Sequence, residues 1–324
     1  MTSTGSANTV TMRMPKGLYL LDNMFVNSSS TGEFGLVQPE LNITKDTTVT
    51  LDARTAKSAD ITVPDAEAKM QSATVGYTYN SGAANAESGL SLGSFQQIRM
   101  AHRRPAVSSG LTQTWAGMWS KGDDAAYHVT TGGRTTKIAG ERVRHYKASD
   151  LATVKTQFGA SAPDKTGTLD VSGILPAGMV APAGAEVKLP GARMLYVSTG
   201  DNIKWSLGFM QFGSDKAPGP NPVPEAWGAL SNPQTLKADK SYQKTFNVGV
   251  FGPHIGGYYG IQREGNSHMG YVPMFTDGNE QPGSSQYTSV KSTLYRNVRR
   301  SPRGRTGSTR PATTRSRPAR PRTR

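Results

Sequence analysis

The chain has 324 residues, enough for two or three domains with cores of their own, and a formal net charge of +14. It contains no cysteine, which excludes disulfides, thiolate metal sites and a cysteine nucleophile. The charge is uneven: residues 297–324 hold ten arginines and no lysine, aspartate or glutamate, and the rest carries 27 basic against 23 acidic residues, a net of +4. No stretch approaches the roughly 18 apolar residues of a membrane span. The opening "MTSTGSANTVTMRMPKG" lacks the basic-then-apolar layout of a secretory leader.

In chain order the body reads as β almost throughout. Val10, Met12 and Met14 alternate with polar residues, and "PKG" then turns into "LYLLD", the pattern of a hairpin. "ELNITKDTTVTLDA" repeats it, with Leu41 and Ile43 on one face, a "KD" turn, then Val49 and Leu51. "ADITVP" adds a short strand. Together these predict part of a small sandwich over residues 1–64, short of its opening strands. The polar "PDAEAKMQS" (64–72) predicts a boundary.

Beyond it, "ATVGYTYN", "GSFQQIRMAH", "TQTWAGMW", "AAYHVTT" and "ERVRHY" predict short strands in a second β domain over 65–165. In "ASDLATVKTQF" the residues Leu151, Val154, Lys155 and Phe158 fit a capped helix and a strand equally well. The Gly/Pro/Ala-rich stretches between 161 and 192 predict long surface loops or a further boundary. "RMLYVSTGDNIKWSLGFMQF", "KSYQKTFNVGVFG" and "SVKSTLYRN" predict a third domain, a β-sandwich over 166–296. The expectation is an all-β chain of tandem sandwiches, immunoglobulin-like or transthyretin-like, ending in a disordered Arg-rich tail over 297–324.

Chemistry-bearing motifs are sparse. His102, His128, His145, His254 and His268 lie far apart without metal-ligand spacing. "GPHIGGYYGIQREG" lacks the strand, GxGxxG and helix order of a phosphate cradle and predicts a turn-rich hairpin. No nucleophile elbow occurs, and Asp123 and Asp124 ahead of His128 predict a solvated turn. No cofactor and no metal site is expected. The candidate ligand platform is aromatic: Trp115, Trp119, Trp205 and Trp227 offer indole faces suited to sugar rings, and Trp115 and Trp119, four apart in a strand, share a face. The competing expectation is that they fill cores.

An ordered series of segments resembles the C-terminal region of large secreted subtilisin-like serine peptidases of actinobacteria. The carrying segments are "VTMRMPKGLYLLDNMF", "ITKDTTVTLDARTAKSADITVP", "SFQQIRMAH", "TWAGMWSKG", "SDLATVK", "LYVSTGDNIKWSLGF", "YQKTFNVGVFGP" and "QREGN…VPMFTDGNEQPGSS…TLYRN", covering residues 9 to 297. In that family the catalytic domain comes first, with an aspartate, an HGTH-type histidine and a GTSMA-type serine. None of these motifs occurs here, so no catalytic residue is carried over. The resemblance implies the accessory part of an extracellular peptidase: a carboxypeptidase-regulatory-like sandwich followed by further β domains, serving stability, secretion or attachment to a substrate or surface. The implied partners are the peptidase's catalytic domain and a protein or cell-wall polysaccharide surface.

The series departs from the family after "LYRN". There the family continues with the glycine of a tight Asn-Gly turn, whereas Val298 and the arginine tail follow here. Residues 301–324 use only Ser, Pro, Arg, Gly, Thr and Ala, types whose codons carry C or G in the middle position. That alphabet is what a GC-rich gene yields one frame off, so the tail reads as a frame-shifted end of a fragment. Two other functions remain open. A β-rich binding protein would use the tail as an arm for nucleic acid or another polyanion, with the salt dependence of counterion release, though the tail lacks aromatics that stack on single strands. A carbohydrate- or cell-wall-binding module would use the tryptophans.

Overall fold

In a computed structural model the described residues are 9–26, 32–82, 85–161, 163–176, 178–179, 183–213, 226–228, 232–257, 259–281 and 283–285, with 289, 291, 293, 295–296, 299–300 and 312–315 beyond them. The chain is all-β. Its strands are β1 (Gly17–Val26), β2 (Glu33–Ile43), β3 (Asp60–Thr62), β4 (Lys69–Asn80), β5 (Asn85–Leu92), β6 (Ile98–His102), β7 (Leu111–Lys121) and β8 (Ala125–Thr135). They continue with β9 (Val143–His145), β10 (Leu151–Phe158), β11 (Thr166–Leu175), β12 (Gly178–Met179), β13 (Ala183–Lys188), β14 (Gly191–Ser198) and β15 (Lys204–Phe212). Then come β16 (Ala226–Gly228), β17 (Ser241–Phe246), β18 (Gly260–Glu264), β19 (Ser267–Tyr271) and β20 (Gly283–Ser285). Among the described residues the helical pieces are three-residue 3-10 turns, so no helix there is long and apolar enough to cross a membrane.

The architecture is two sandwich cores sharing their middle layer. That layer is a seven-stranded sheet in the order β17-β10-β14-β8-β7-β4-β5. A three-stranded sheet, β1-β2-β6, belongs to the first core, and a six-stranded one, β12-β11-β15-β16-β20 with β13 also on β11, to the second. The sharing follows from strand periodicity, since alternate side chains leave a strand on opposite faces. On β8, Tyr127 and Val129 enter the first core while Ala126 enters the second; on β10, Leu151 enters the first and Ala152, Val154 and Phe158 the second.

The first core gathers Val75, Tyr77, Leu111 and Trp115 from the alternations of β4 and β7, with Phe95 from the 3-10 turn before β6 and Ile98 from β6 itself. Gln113 is buried in the same row of β7 and is satisfied twice over. Its Nε2 donates to the Ala139 carbonyl and its Oε1 accepts from the Ala139 N–H, both at 2.7 Å, so the side chain stands in for a strand partner. The second core centres on Phe158, Phe209 and Phe246, stacked with centroids 5.4 to 6.0 Å apart, which ties β10 to β15 and β17.

Several expectations change. "SDLATVKTQF" is strand, preceded by a 3-10 turn at Ala148–Asp150: β10 pairs in parallel with β17 on one side and antiparallel with β14 on the other, and a helix would forfeit both ladders. The hairpin expected at Val10–Met14 does not form. Pro15 supplies no N–H, β1 pairs with β2 instead, and Val10, Met12 and Met14 stand exposed. The second arm of "ITKDTTVTLDA" is likewise not strand.

The boundary predicted at 165/166 separates strands of one sheet, because β10 lies before it while its neighbours β14 and β17 lie after it. The boundary at 64/65 is crossed by the first core, which contains Val37 and Ile61 as well as Val75. Loop-like Pro/Gly composition between 161 and 192 conceals β11, β12 and β13. Most of the expected disordered tail, 297–324, lies outside the described residues. Where it is described, β22 (Arg299–Arg300) pairs with β21 (Tyr295–Arg296) and β23 (Ala312–Arg315) pairs with β19.

Candidate functional site

The tryptophans are interior. Trp115 and Trp119 lie on one face of β7, as their spacing predicts, and that face is the first core. Trp205, only 2% exposed, lies in the second core with Nε1 donating to the Ser198 carbonyl at 2.8 Å. Three indoles therefore have no face to offer a sugar, because burying a large apolar ring outweighs displaying it. Trp227 falls in β16, and its side chain lies outside the described residues.

The histidines do not converge, and among the described residues no group of three or more His, Cys, Asp or Glu side chains is placed to hold a metal ion. His102 Nδ1 accepts from the Ile138 N–H, His145 sits 2.9 Å from the Asp60 carboxylate, and His254 lies edge-on to Tyr259. His128 is enclosed on the second-core face of β8 with Nε2 unpartnered. Burial, and secondarily the Arg193 guanidinium, depresses its pKa to about 3, so it stays neutral. The aspartates ahead of it sit in the exposed β7–β8 turn, where Lys188 bonds Asp123 at 3.0 Å and holds its carboxyl below the usual range. Asp123 and His128 form no acid–base pair.

Two shallow grooves flank the chain as it leaves β6. The first, about 280 Å³, is bordered by Lys57, Met100, His102 and Glu141. Its polar groups answer one another: Lys57 Nζ meets Glu141 Oε2 at 3.0 Å, and the Lys57 backbone exchanges hydrogen bonds with Met100. The second, about 260 Å³, is bordered by Gln38, Asn42, Thr47, Thr48, Arg103 and Arg104. Here the Arg103 Nη1 is buried with no partner, and neither guanidinium has an ion pair among the described residues. The sequence did not single out these arginines. Their only local signal is two adjacent cations directly after a strand.

The third surface is apolar. β1 is the free edge of its sheet, and it exposes Leu18 (60%), Met24 (50%) and Val26 (72%), continuing the exposed Val10, Met12 and Met14. Isolated apolar side chains at a surface are ordinary, but three on one edge strand, with three more in the non-strand segment leading into it, are more than scatter, although the exposed Asp22 stands among them.

No protein-family model and no curated protein matches the chain. Among solved structures, the chain is similar to the major pilin of Streptococcus pyogenes over 59% of its own length and 98% of the pilin chain, at 8% identity and a TM-score of 0.14. A likeness that slight carries no argument for fold or function.

Proposed function

We propose that this chain is the accessory, non-catalytic β region of a secreted subtilisin-like serine peptidase, and that its β1 edge packs against the peptidase's catalytic domain. The observation that carries the reading is that edge, where a strand with no second neighbour among the described residues also exposes Leu18, Met24 and Val26. Such an edge pairs indiscriminately unless a partner covers it. The resembling segments support the same reading: "LYLLDNMF" builds β1, "IRMAH" β6, "TWAGMWSK" β7, "LATVK" β10, and "LYVSTGDNIKWSLGF" β14 and β15. They are thus spread through both cores rather than confined to one loop.

The experiment mixes the chain with a subtilisin-like catalytic domain encoded in the same genome and follows co-migration by size-exclusion chromatography with light scattering. The expected result is a 1:1 complex, lost on Leu18→Lys with Met24→Lys. Independent migration with every such domain rejects the proposal.

A further inference from the structure

The second groove beside β6 holds an unanswered charge. Arg103 is half-buried. Its backbone N–H is anchored to the Val37 carbonyl at 2.8 Å, yet its Nη1 faces neither solvent nor a partner. A buried donor left unmade costs about 1–3 kcal/mol, more when charged. Arg54 is paired with Asp52, Arg142 with Thr131 and the Trp115 ring, and Arg193 with two carbonyls, though its Nε is likewise buried without a partner. What sets Arg103 apart is that its orphaned donor borders an open groove beside a second cation with no ion pair among the described residues. Burial, then the neighbouring Arg104, lowers the pKa of Arg103, so the two cations repel in a partly dry setting. Arg104 itself has a backbone φ of 68°, a left-handed conformation uncommon for a long side chain. The acidic side chains nearest in sequence to the opposite wall do not help: Glu40 accepts from the Tyr79 hydroxyl at 2.9 Å, and Asp46 makes no ion pair among the described residues.

We propose that Arg103 and Arg104, with the Thr48 hydroxyl and the Asn42 amide on the facing wall, form a binding site for a tetrahedral oxyanion of the phosphate or sulfate type. Two guanidiniums present more donors than the two oxygens of a planar carboxylate accept, and a doubly charged ion balances both cations. The Thr47 hydroxyl already donates to the Lys45 carbonyl at 2.7 Å and has no proton left for the ion, so it is not counted among the donors. The groove's 260 Å³ corresponds to roughly eight waters' share of liquid, enough for the ion with part of the molecule bearing it. The site is independent of the β1 edge and of the accessory-domain reading.

The test is calorimetric titration of the full chain with inorganic phosphate, sulfate and glycerol phosphate, a phosphomonoester, at fixed ionic strength with chloride as reference. Because the tail arginines are present throughout, the difference between wild type and the R103Q/R104Q variant isolates the groove. Saturable phosphate and sulfate binding is expected, weakened about tenfold in R104Q and more in the double variant. Arg103→Lys, which keeps the charge but loses the fork, weakens binding without unfolding the chain. Tighter binding of the phosphomonoester than of free phosphate identifies a phosphorylated molecule as the source; the reverse identifies the free ion. Equal binding by wild type and R104Q, or a phosphate effect no larger than that of chloride, overturns the proposal.

Discussion

His128 gives the clearest pH signature in the molecule. Its pKa is about 3 when folded, through burial and the Arg193 charge, against about 6.5 in an unfolded chain. Above pH 6.5 both states are neutral and the residue is silent. Between 6.5 and 3 the unfolded chain takes up a proton that the folded chain refuses, so stability falls as pH falls, by at most about 1.4 kcal/mol per pH unit. Urea midpoints measured from pH 7 to 4 should drop more steeply for wild type than for His128→Gln; parallel curves would contradict it. The tryptophans give a second test at this scale. The Trp205 Nε1 bonds Ser198, whereas the Trp115 Nε1 is buried without a partner. Trp205→Phe therefore strands a carbonyl and should cost about 1–2 kcal/mol more than Trp115→Phe, read as a difference in denaturation free energy.

Elements were legible where one strand's own alternation decided the outcome. β4 shows Ala73, Val75, Tyr77 and Tyr79 in one buried row, and β7 shows Leu111, Gln113, Trp115 and Trp119, so period two was visible in the residues themselves. At β10 the same apolar residues fit two periods, and the choice was made by β14 and β17, which lie 33 or more residues further on. The strand-like "TVTMRM" failed for the converse reason: it has the pattern and no neighbouring edge. Arg103 and Arg104 escaped notice because their meaning depends on Thr48 and Asn42, brought opposite by the fold and distant in the chain. At β1, replacing Leu18 and Met24 by lysine changes exposed positions only. Folding stability should move by no more than about 0.5 kcal/mol while concentration-dependent association, followed by light scattering, decreases. Loss of the folded state would show instead that β1's outer face is already buried.

At the scale of the molecule, the two cores share one sheet, and we expect them to behave as one cooperative unit. The long connection from β10 out to β17 returns to the same sheet, so Pro/Gly-rich stretches that read as linkers join strands of a common body. The two cores should unfold together: Trp205 reports the second, Trp115 and Trp119 the first, and single-reporter variants should give coincident urea transitions. Two separated transitions would restore the boundary at 165/166. The accessory role is tested most directly by hydrogen–deuterium exchange along β1, residues 17–26, alone and with the subtilisin-like catalytic domain. The amides of β1 that do not bond to β2 should exchange rapidly in the free chain. On docking they should slow by about tenfold or more, and Leu18→Lys with Met24→Lys should abolish the change. Unaltered exchange at β1, with protection appearing elsewhere or nowhere, would contradict the assignment.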